Sequence, residues 1–360
     1  MLHAMIMAGG GGTRFWPRSR QKKPKQFLQL GGDRSLIQQA YERLEAAVPP
    51  ERMWVITSEA YRQETQAHLP TLSNDHIIGE PVGRDTAPCV ALGAALIAKN
   101  DPEAVMLVSP ADHVIEPVQE FRRAVHAAHE ICKDSPGTFL TFGIPPTYPS
   151  VGYGYIQKGQ EAAQKQGLTA YKVSAFKEKP SLEIAQQFFA SGNYFWNSGI
   201  FVWRASTVLA SLKEHKPAMH DAALKIAAAW DTPQRKEVLE TEFSAMEKIS
   251  VDYAIMEKAK EVMVLQTPYK WDDVGSWQAL ERLHPQDADG NTVVASHCGI
   301  RTNNCIIVSD NRSNLTTTIG VENLIIVRDG DAILVADKRD EAGVKQLVDL
   351  LRKRGLDQYL

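Results

Sequence analysis

Cysteine is scarce in this chain. Cys89, Cys132, Cys298 and Cys305 are the only four in 360 residues, and no two form a C-x-x-C pair. That spacing argues against a disulfide scaffold or a thiolate zinc site and sets a cytoplasmic location as the expectation. An excess of positive charge is also missing. Lys and Arg number 40 against 43 Asp and Glu, for a net charge of −3. A general nucleic-acid binder is basic overall, so no nucleic-acid partner is expected. Long apolar runs are absent too: VALGAALIA at 90–98 falls far short of the roughly 20 residues that span a bilayer. Residues 1–8 are too short for the apolar core of a signal peptide. The expectation is a soluble protein with no membrane partner.

Two phosphate-binding signatures are missing as well. A dinucleotide fingerprint needs G-x-G-x-x-G. Counting from Gly9 and Gly11 the third position is Arg14, and from Gly10 and Gly12 it is Phe15. No lysine stands where a G-x-x-x-x-G-K-[ST] loop requires one.

What is present is an alternation of two periods. Residues 3–8, 53–57, 76–78, 104–108 and 139–144 read as strands. Residues 35–48, 59–69, 87–99 and 118–132 carry helical spacing, with Asp85 or Thr86 capping the third. Strand alternating with helix predicts an α/β fold with a mostly parallel sheet, whose ligands sit at the carboxyl ends of the strands. The glycine run after residue 8 and the segment 109–113 both fall there. Further strands are expected at 171–176, 199–203 and 262–267, with a helix-rich stretch at about 205–260. After a turn-rich linker at 284–291 (HPQDADGN), short apolar runs at 305–309, 315–319, 324–328 and 332–336 predict a small β-rich domain. Its last two runs form a hairpin around Asp329-Gly330-Asp331, and a terminal helix covers 338–351. The domains are read as 1–285 and 290–360. Asn311-Arg312-Ser313 and Asn314-Leu315-Thr316 fit the glycosylation sequon, which carries no meaning in a cytoplasmic protein.

The chemistry is concentrated in MIMAGGGGTRFWPRSRQKKPKQF, residues 5–27. Glycines let backbone N–H groups approach an anion without Cβ obstruction. Six basic residues follow within twelve positions: Arg14, Arg18, Arg20, Lys22, Lys23 and Lys25. Arginine grips phosphate through two parallel bonds, and lysine acts as a mobile point charge. Taken alone, the glycines could equally form a surface turn beside a solvated basic face.

The whole string resembles the signature of the nucleotidyltransferases that activate sugar 1-phosphates. Further motifs of that family follow in order along the chain: EPVGRDTAP (80–88), SPADHVI (109–115), VGYGYI (151–156), FKEKP (176–180), WNSGIF (196–201), SVDYAIMEK (250–258), WDDVGSW (271–277) and GVENLIIVRDGDAILVADK (320–338). The resemblance implies a Rossmann-like nucleotidyltransferase domain and a short left-handed β-helix-like C-terminal part that contributes to a homodimer. Among the family's activities it implies joining GTP to mannose 1-phosphate, giving GDP-mannose and diphosphate, with Mg²⁺ as the metal. By the same resemblance Gly9, Gly10, Gly12 and Thr13 line the nucleotide phosphates, Arg14 and Lys25 are catalytic, and Asp112 and Asp273 hold the metal. Asp272 is expected to point elsewhere, and the other basic residues of the loop to be solvated or to brace it. Glu80, Arg84, Asp85 and Thr86 are candidate base and ribose contacts, with helix capping by Asp85 or Thr86 as the competing role. Glu178, Asn197, Lys179 and Gly152 are candidates for the sugar phosphate.

Three alternatives share parts of this pattern. A sibling enzyme for another sugar or base differs only around 80–88 and 152–199. A non-catalytic GDP-mannose sensor could dispense with Arg14, Lys25 or an aspartate ligand, all of which are present. A metal-dependent glycosyltransferase is expected to carry D-x-D in the sheet domain, where this chain has Pro110-Ala111-Asp112.

Overall fold

Met5 and Ile6 are fully buried in strand β1, Leu2–Ala8, which lies inside a nine-stranded sheet. The computed structural model describes residues 1–311 and 313–360, so Arg312 of the first sequon lies outside the described residues. The strands are β1, β2 (Met53–Ser58), β3 (Ile77–Glu80), β4 (Val105–Pro110), β5 (Val114–Glu116), β6 (Phe139–Ile144), β7 (Tyr155–Lys165), β8 (Leu168–Lys177), β9 (Tyr194–Arg204), β10 (Val262–Gln266), β11 (Lys270–Asp272), β12 (Thr292–Val294), β13 (Ser296–Asn303), β14 (Ile306–Ser309), β15 (Leu315–Glu322), β16 (Leu324–Asp329) and β17 (Ala332–Asp337). The helices are α1 (Leu36–Glu45), α2 (Arg62–His68), α3 (Thr86–Asn100), α4 (Val118–Asp134), α5 (Leu182–Ser191), α6 (Ala205–His215), α7 (Pro217–Ala229), α8 (Arg235–Ala245), α9 (Leu280–Leu283) and α10 (Gly343–Lys353).

The packing divides into two units. The first comprises residues 1–9, 40–111 and 115–271, and the second comprises 10–39, 112–114 and 272–360. The glycine-rich loop therefore packs with the C-terminal segment rather than with the strand that precedes it.

In the first unit the sheet order is β3-β2-β1-β4-β9-β6-β10-β8-β7. The first four strands are parallel, as the βα alternation predicts. β9 then runs antiparallel between β4 and β6, while β6 and β10 are parallel to each other. β7 and β8 form an antiparallel pair at the far edge. Side chains on a strand alternate between faces. Phe139 accordingly enters the large core beneath α3, α6 and α7, whereas Phe142 meets Phe121 of α4, ring centroids 6.2 Å apart. Helix α3 is buried along Ala87–Ile97, which explains why its sequence is a continuous apolar run rather than a stripe.

In the second unit β12, β14 and β16 pair in parallel, β13 pairs in parallel with β15, and β17 closes the small sheet as the antiparallel arm of the predicted hairpin. Parallel strands stacked by successive passes of the chain are the pattern of a β-helix-like coil. Asn304 and Asn323 occupy equivalent corners, each with positive φ (51° and 57°), and the Asn304 amide donates to the Asn323 oxygen at 2.5 Å. Asparagine tolerates that left-handed conformation better than most residues. Phe15, Trp16, Leu28 and Leu30 join Trp277, Leu280, Ile306 and Ile325 in the core of this unit.

Among the described residues no helix is long and apolar enough to cross a membrane.

Candidate active site

β1 and β4 are neighbouring parallel strands. The chain leaves β1 into Gly9-Gly10 and leaves β4 into Ala111-Asp112, whose first peptide is held by an Ala111 N–H bond to the Met7 carbonyl at 2.9 Å. The two segments singled out by sequence thus emerge from adjacent strand ends, where ligands of such sheets bind.

Within the second unit, Lys25 is the hub. Its side chain is largely buried, and its Nζ donates to Asp112 Oδ2 at 2.7 Å and to the Asp273 carbonyl at 2.6 Å. Three motifs far apart in sequence therefore meet at one ammonium. Burial alone pushes the Asp112 carboxyl up, but the charges of Lys25 and His113 and the Lys25 hydrogen bond outweigh it. The carboxyl is held below the usual range.

Gly12 makes this approach possible. It has φ +57°, and a Cβ placed there would lie 2.2 Å from the Cβ of Lys25. Its carbonyl accepts from Ser19 Oγ at 2.7 Å. Gly10 and Gly11 face open space. Thr13 and Arg14 form a short 3-10 turn with buried Phe15. The exposed Arg14 guanidinium has no hydrogen bond or ion pair among the described residues.

The remaining arginines of the loop have structural partners. Arg18 lies 3.8 Å from Asp329, and Arg20 bonds Asp331 at 2.6 Å and the Pro17 carbonyl at 3.0 Å. They brace the loop, as expected. Asp272 is turned away: it takes two bonds from Arg282, at 2.5 and 3.2 Å, and one from the Val274 N–H at 2.7 Å.

The first unit holds the other candidates in two clusters. At the end of β3, Glu80 is buried close to Gly9, with Oε2 3.4 Å from where a Gly9 Cβ would stand. Its Oε1 has no hydrogen-bond partner. Burial raises its carboxyl to about 7, against a smaller opposing effect of the Cys89 thiol hydrogen bond. An acceptor left unmet in a buried position is the exception among buried polar groups.

Nearby, Asp85 caps α3 by accepting from the Thr86 N–H at 2.8 Å, with its backbone at φ +68°. Thr86 Oγ1 accepts from the Val251 N–H at 2.8 Å, and Arg84 bonds the Ser244 carbonyl. Asp85 and Thr86 are thus engaged within the protein, whereas Glu80 Oε1 and Arg84 Nε are buried without a hydrogen-bond partner.

The second cluster surrounds Asn197. Gly154 runs so close to Glu178 that a Cβ on it would stand 2.7 Å from Oε2, and its carbonyl accepts from the Asn197 N–H at 2.8 Å. Lys179 bonds Glu178 at 2.8 Å and is well exposed. Gly152 lies on an exposed loop, its N–H donating to Ser150 Oγ at 3.2 Å. The sequence reading did not single out Asp252, whose Oδ1 accepts from Asn197 Nδ2 at 3.1 Å. Its signal in the sequence was an acidic residue inside the largely apolar run SVDYAIM.

The family model for nucleotidyl transferases matches residues 3–290, and that for the mannose-phosphate isomerase/GMP-like β-helix domain matches 295–351. The mannose-1-phosphate guanylyltransferase of Escherichia coli K12 is 39% identical over 99% of this chain and 75% of its own length. That of Klebsiella pneumoniae is 40% identical over 100% and 76%. A crystal structure described as mannose-1-phosphate geranyltransferase from Thermus thermophilus superposes with a TM-score of 0.85. It is 33% identical and covers 98% of this chain and 99% of that one.

Proposed function

The chain belongs to the nucleotidyl transferase family, among the mannose-1-phosphate guanylyltransferases, and from that premise we propose that it transfers GMP from GTP to α-D-mannose 1-phosphate, releasing diphosphate and forming GDP-mannose. The observation that carries the proposal is the convergence of Lys25, Asp112 and Asp273 beside Gly12.

An oxygen of the sugar phosphate attacks the α-phosphorus of GTP in line. The new P–O bond forms as the bond to the β-phosphate oxygen breaks, and diphosphate leaves with the electron pair. A phosphate monoester has a second pKa of about 6, so the nucleophile is already largely dianionic at neutral pH and needs no general base. What remains is repulsion between anions and charge growing on the leaving group. Arg14, with its uncommitted guanidinium, grips the triphosphate and the departing diphosphate. Lys25 adds a fixed positive charge at the base of the loop. Around Gly10 and Gly11 no neighbour lies within 4 Å of where a Cβ would stand, so a phosphate can approach the bare backbone there.

Nucleotidyltransferases of this family generally use a divalent metal. Here the acidic side chains of the loop cluster are all oxygen donors, and Asp112 is about one-third exposed. Among the described residues no group of three or more His, Cys, Asp or Glu side chains is set to hold a metal alone. Mg²⁺ fits such a set, since it takes one or two carboxylates and completes its shell with water and substrate phosphates. Asp112 and Asp273 would hold it. When bound, it supplies positive charge to the reacting phosphates.

Glu80 accepts the N1–H and N2–H donors of guanine, a pattern adenine does not present. Glu178 and Asn197 meet the sugar hydroxyls and Lys179 its phosphate. The enzyme works as a homodimer in the cytoplasm on this reading. The test is a grid of nucleoside triphosphates against sugar 1-phosphates with Mg²⁺, read as nucleotide-sugar product. Formation of GDP-mannose at rates well above every other pair is the expected result. A faster rate with another sugar or base would move the function to a sibling activity.

A further inference from the structure

Asn197 does not stand free in its cluster. The Gly199 backbone N–H donates to Asn197 Oδ1 at 3.2 Å, and the Thr141 hydroxyl, whose one proton is shared with the Ile200 carbonyl at 3.2 Å, lies 3.3 Å from the same oxygen. A backbone N–H can only donate, so the carbamoyl oxygen must face Gly199 and the NH₂ must face Asp252. On that side the Asp252 carboxylate accepts at 3.1 Å. Oδ1 is thereby engaged, and so is one of the two N–H bonds. The amide presents one remaining N–H donor in a fixed direction.

Asp252 is itself firmly placed. It opens a single wide turn, Asp252–Met256, with i→i+5 bonding. Val251, Ala254, Ile255 and Met256 of this segment are buried in the large core. The Val251 N–H is tied to Thr86 Oγ1 at 2.8 Å, and the Ala87 N–H to the Ile249 carbonyl at 3.1 Å. Wide turns of this kind recur at functional sites. Burial raises the Asp252 carboxyl, the Asn197 bond opposes that shift, and the charge of Glu178 adds to it. A half-buried acid beside a second carboxylate is costly unless it is hydrogen-bonded, and here the Asn197 amide supplies that bond.

We propose that Asp252 is a positioning residue for sugar-phosphate recognition, locking the Asn197 amide so that its free N–H meets a sugar hydroxyl as donor. The inference rests on the sugar-site reading of Asn197. Asp252 acts through Asn197 and does not enter the chemistry of the phosphates.

The test measures KM for mannose 1-phosphate and for GTP in the full-length protein carrying Asp252→Asn, Asp252→Leu, Asn197→Ala and the double variant Asp252→Leu/Asn197→Ala. Asp252→Asn keeps an acceptor oxygen at the same reach, while Asp252→Leu keeps the volume without it. Loss of a hydrogen bond to a charged group predicts an increase of about tenfold or more in KM for mannose 1-phosphate in Asp252→Leu. KM for GTP stays unchanged, and Asp252→Asn stays close to the parent. The double variant matches Asn197→Ala alone, because the side-chain hydrogen bond that Asp252 makes is to that amide.

Equal increases in both KM values, or effects of the two sites that multiply, would overturn the positioning role and leave Asp252 a structural residue. An Asp252→Asn variant as impaired as Asn197→Ala would overturn it too, even if Asp252→Leu fails to fold. Asn197→Ala with an unchanged KM for mannose 1-phosphate would bring down the sugar-site reading itself. Asn197→Ala impaired beside an unaffected Asp252→Leu would bring down the positioning role alone.

Discussion

Lys25 and Asp112 form an ion pair of 2.7 Å, and the same ammonium holds the Asp273 carbonyl. The lysine contributes charge and also fixes the two residues proposed to hold the metal. Lys25→Met therefore removes both effects. Removing one preorganised donor at a reacting phosphate costs on the order of 100-fold or more in kcat, and diphosphate release is the measurement. The Asp112 carboxyl is held below its usual range, net of burial, by Lys25 and His113. Its stabilising effect is present above the unfolded carboxyl pKa and is lost as pH falls through the depressed folded value. Asp112→Asn accordingly melts below the parent at neutral pH, and the gap closes in strong acid.

Gly10, Gly11 and Gly12 of the loop separate by role. Gly12 has φ +57° and no room for a Cβ against Lys25, whereas Gly10 and Gly11 meet nothing within reach. Gly12→Ala should lose about 1–3 kcal/mol from backbone strain alone, with the clash adding to it. Gly10→Ala and Gly11→Ala should keep the parent melting temperature and raise KM for GTP. Chemical denaturation alongside steady-state kinetics separates the two outcomes. Equal stability loss at all three positions would contradict the assignment.

Glu80 predicts a pH dependence of both stability and binding. Burial raises its carboxyl to about 7 from an ordinary value of 4.5. The folded state thus retains a proton that the unfolded state has released. Stability from this group is fully present below pH 4.5 and is lost as pH rises through about 7. Glu80→Gln removes that loss and gains up to about 3 kcal/mol at about pH 8. Guanine needs the ionised acceptor, so KM for GTP should fall in the parent as pH rises through about 7. In Glu80→Gln it should be higher and flat with pH. A stability profile identical in the two proteins would contradict the burial account.

Asp272 is predicted to matter through shape. Its bonds to Arg282 and the Val274 N–H hold the turn that follows Asp273. Asp272→Ala should cost about 2 kcal/mol and lower activity through a displaced Asp273. The variant should require more metal for half-maximal rate, which a Mg²⁺ titration would read.

Much of this was legible in the sequence because it leaves a local mark. A backbone that must approach an anion needs glycine, so the loop announces itself. β1–β4 and their helices show because their buried runs and stripes are contiguous. Adjacent side chains in an extended segment point to opposite sides, so Asp272 and Asp273 could not share a role; the choice of Asp273 rested on the family resemblance.

The rest depends on contacts remote in sequence. That Arg18 and Arg20 brace rather than bind rests on Asp329 and Asp331, which lie 311 positions beyond them. β9 entering antiparallel between β4 and β6 is a matter of long-range pairing that no local pattern encodes. β7 and β13 escaped because their half-exposed, polar sequences lack a clear period. Asp252 escaped because one acid in a largely apolar run looks like a cap until Asn197 is placed beside it.

The most direct measurement is diphosphate release by the purified protein with GTP alone, mannose 1-phosphate alone, and both together with Mg²⁺. The account predicts release only with both, in step with GDP-mannose and slowed about 100-fold or more in Lys25→Met. Release from GTP alone would mark a hydrolase. No release from the pair, in protein that still binds GDP-mannose, would mark a sensor and contradict the catalytic reading of Arg14 and Lys25.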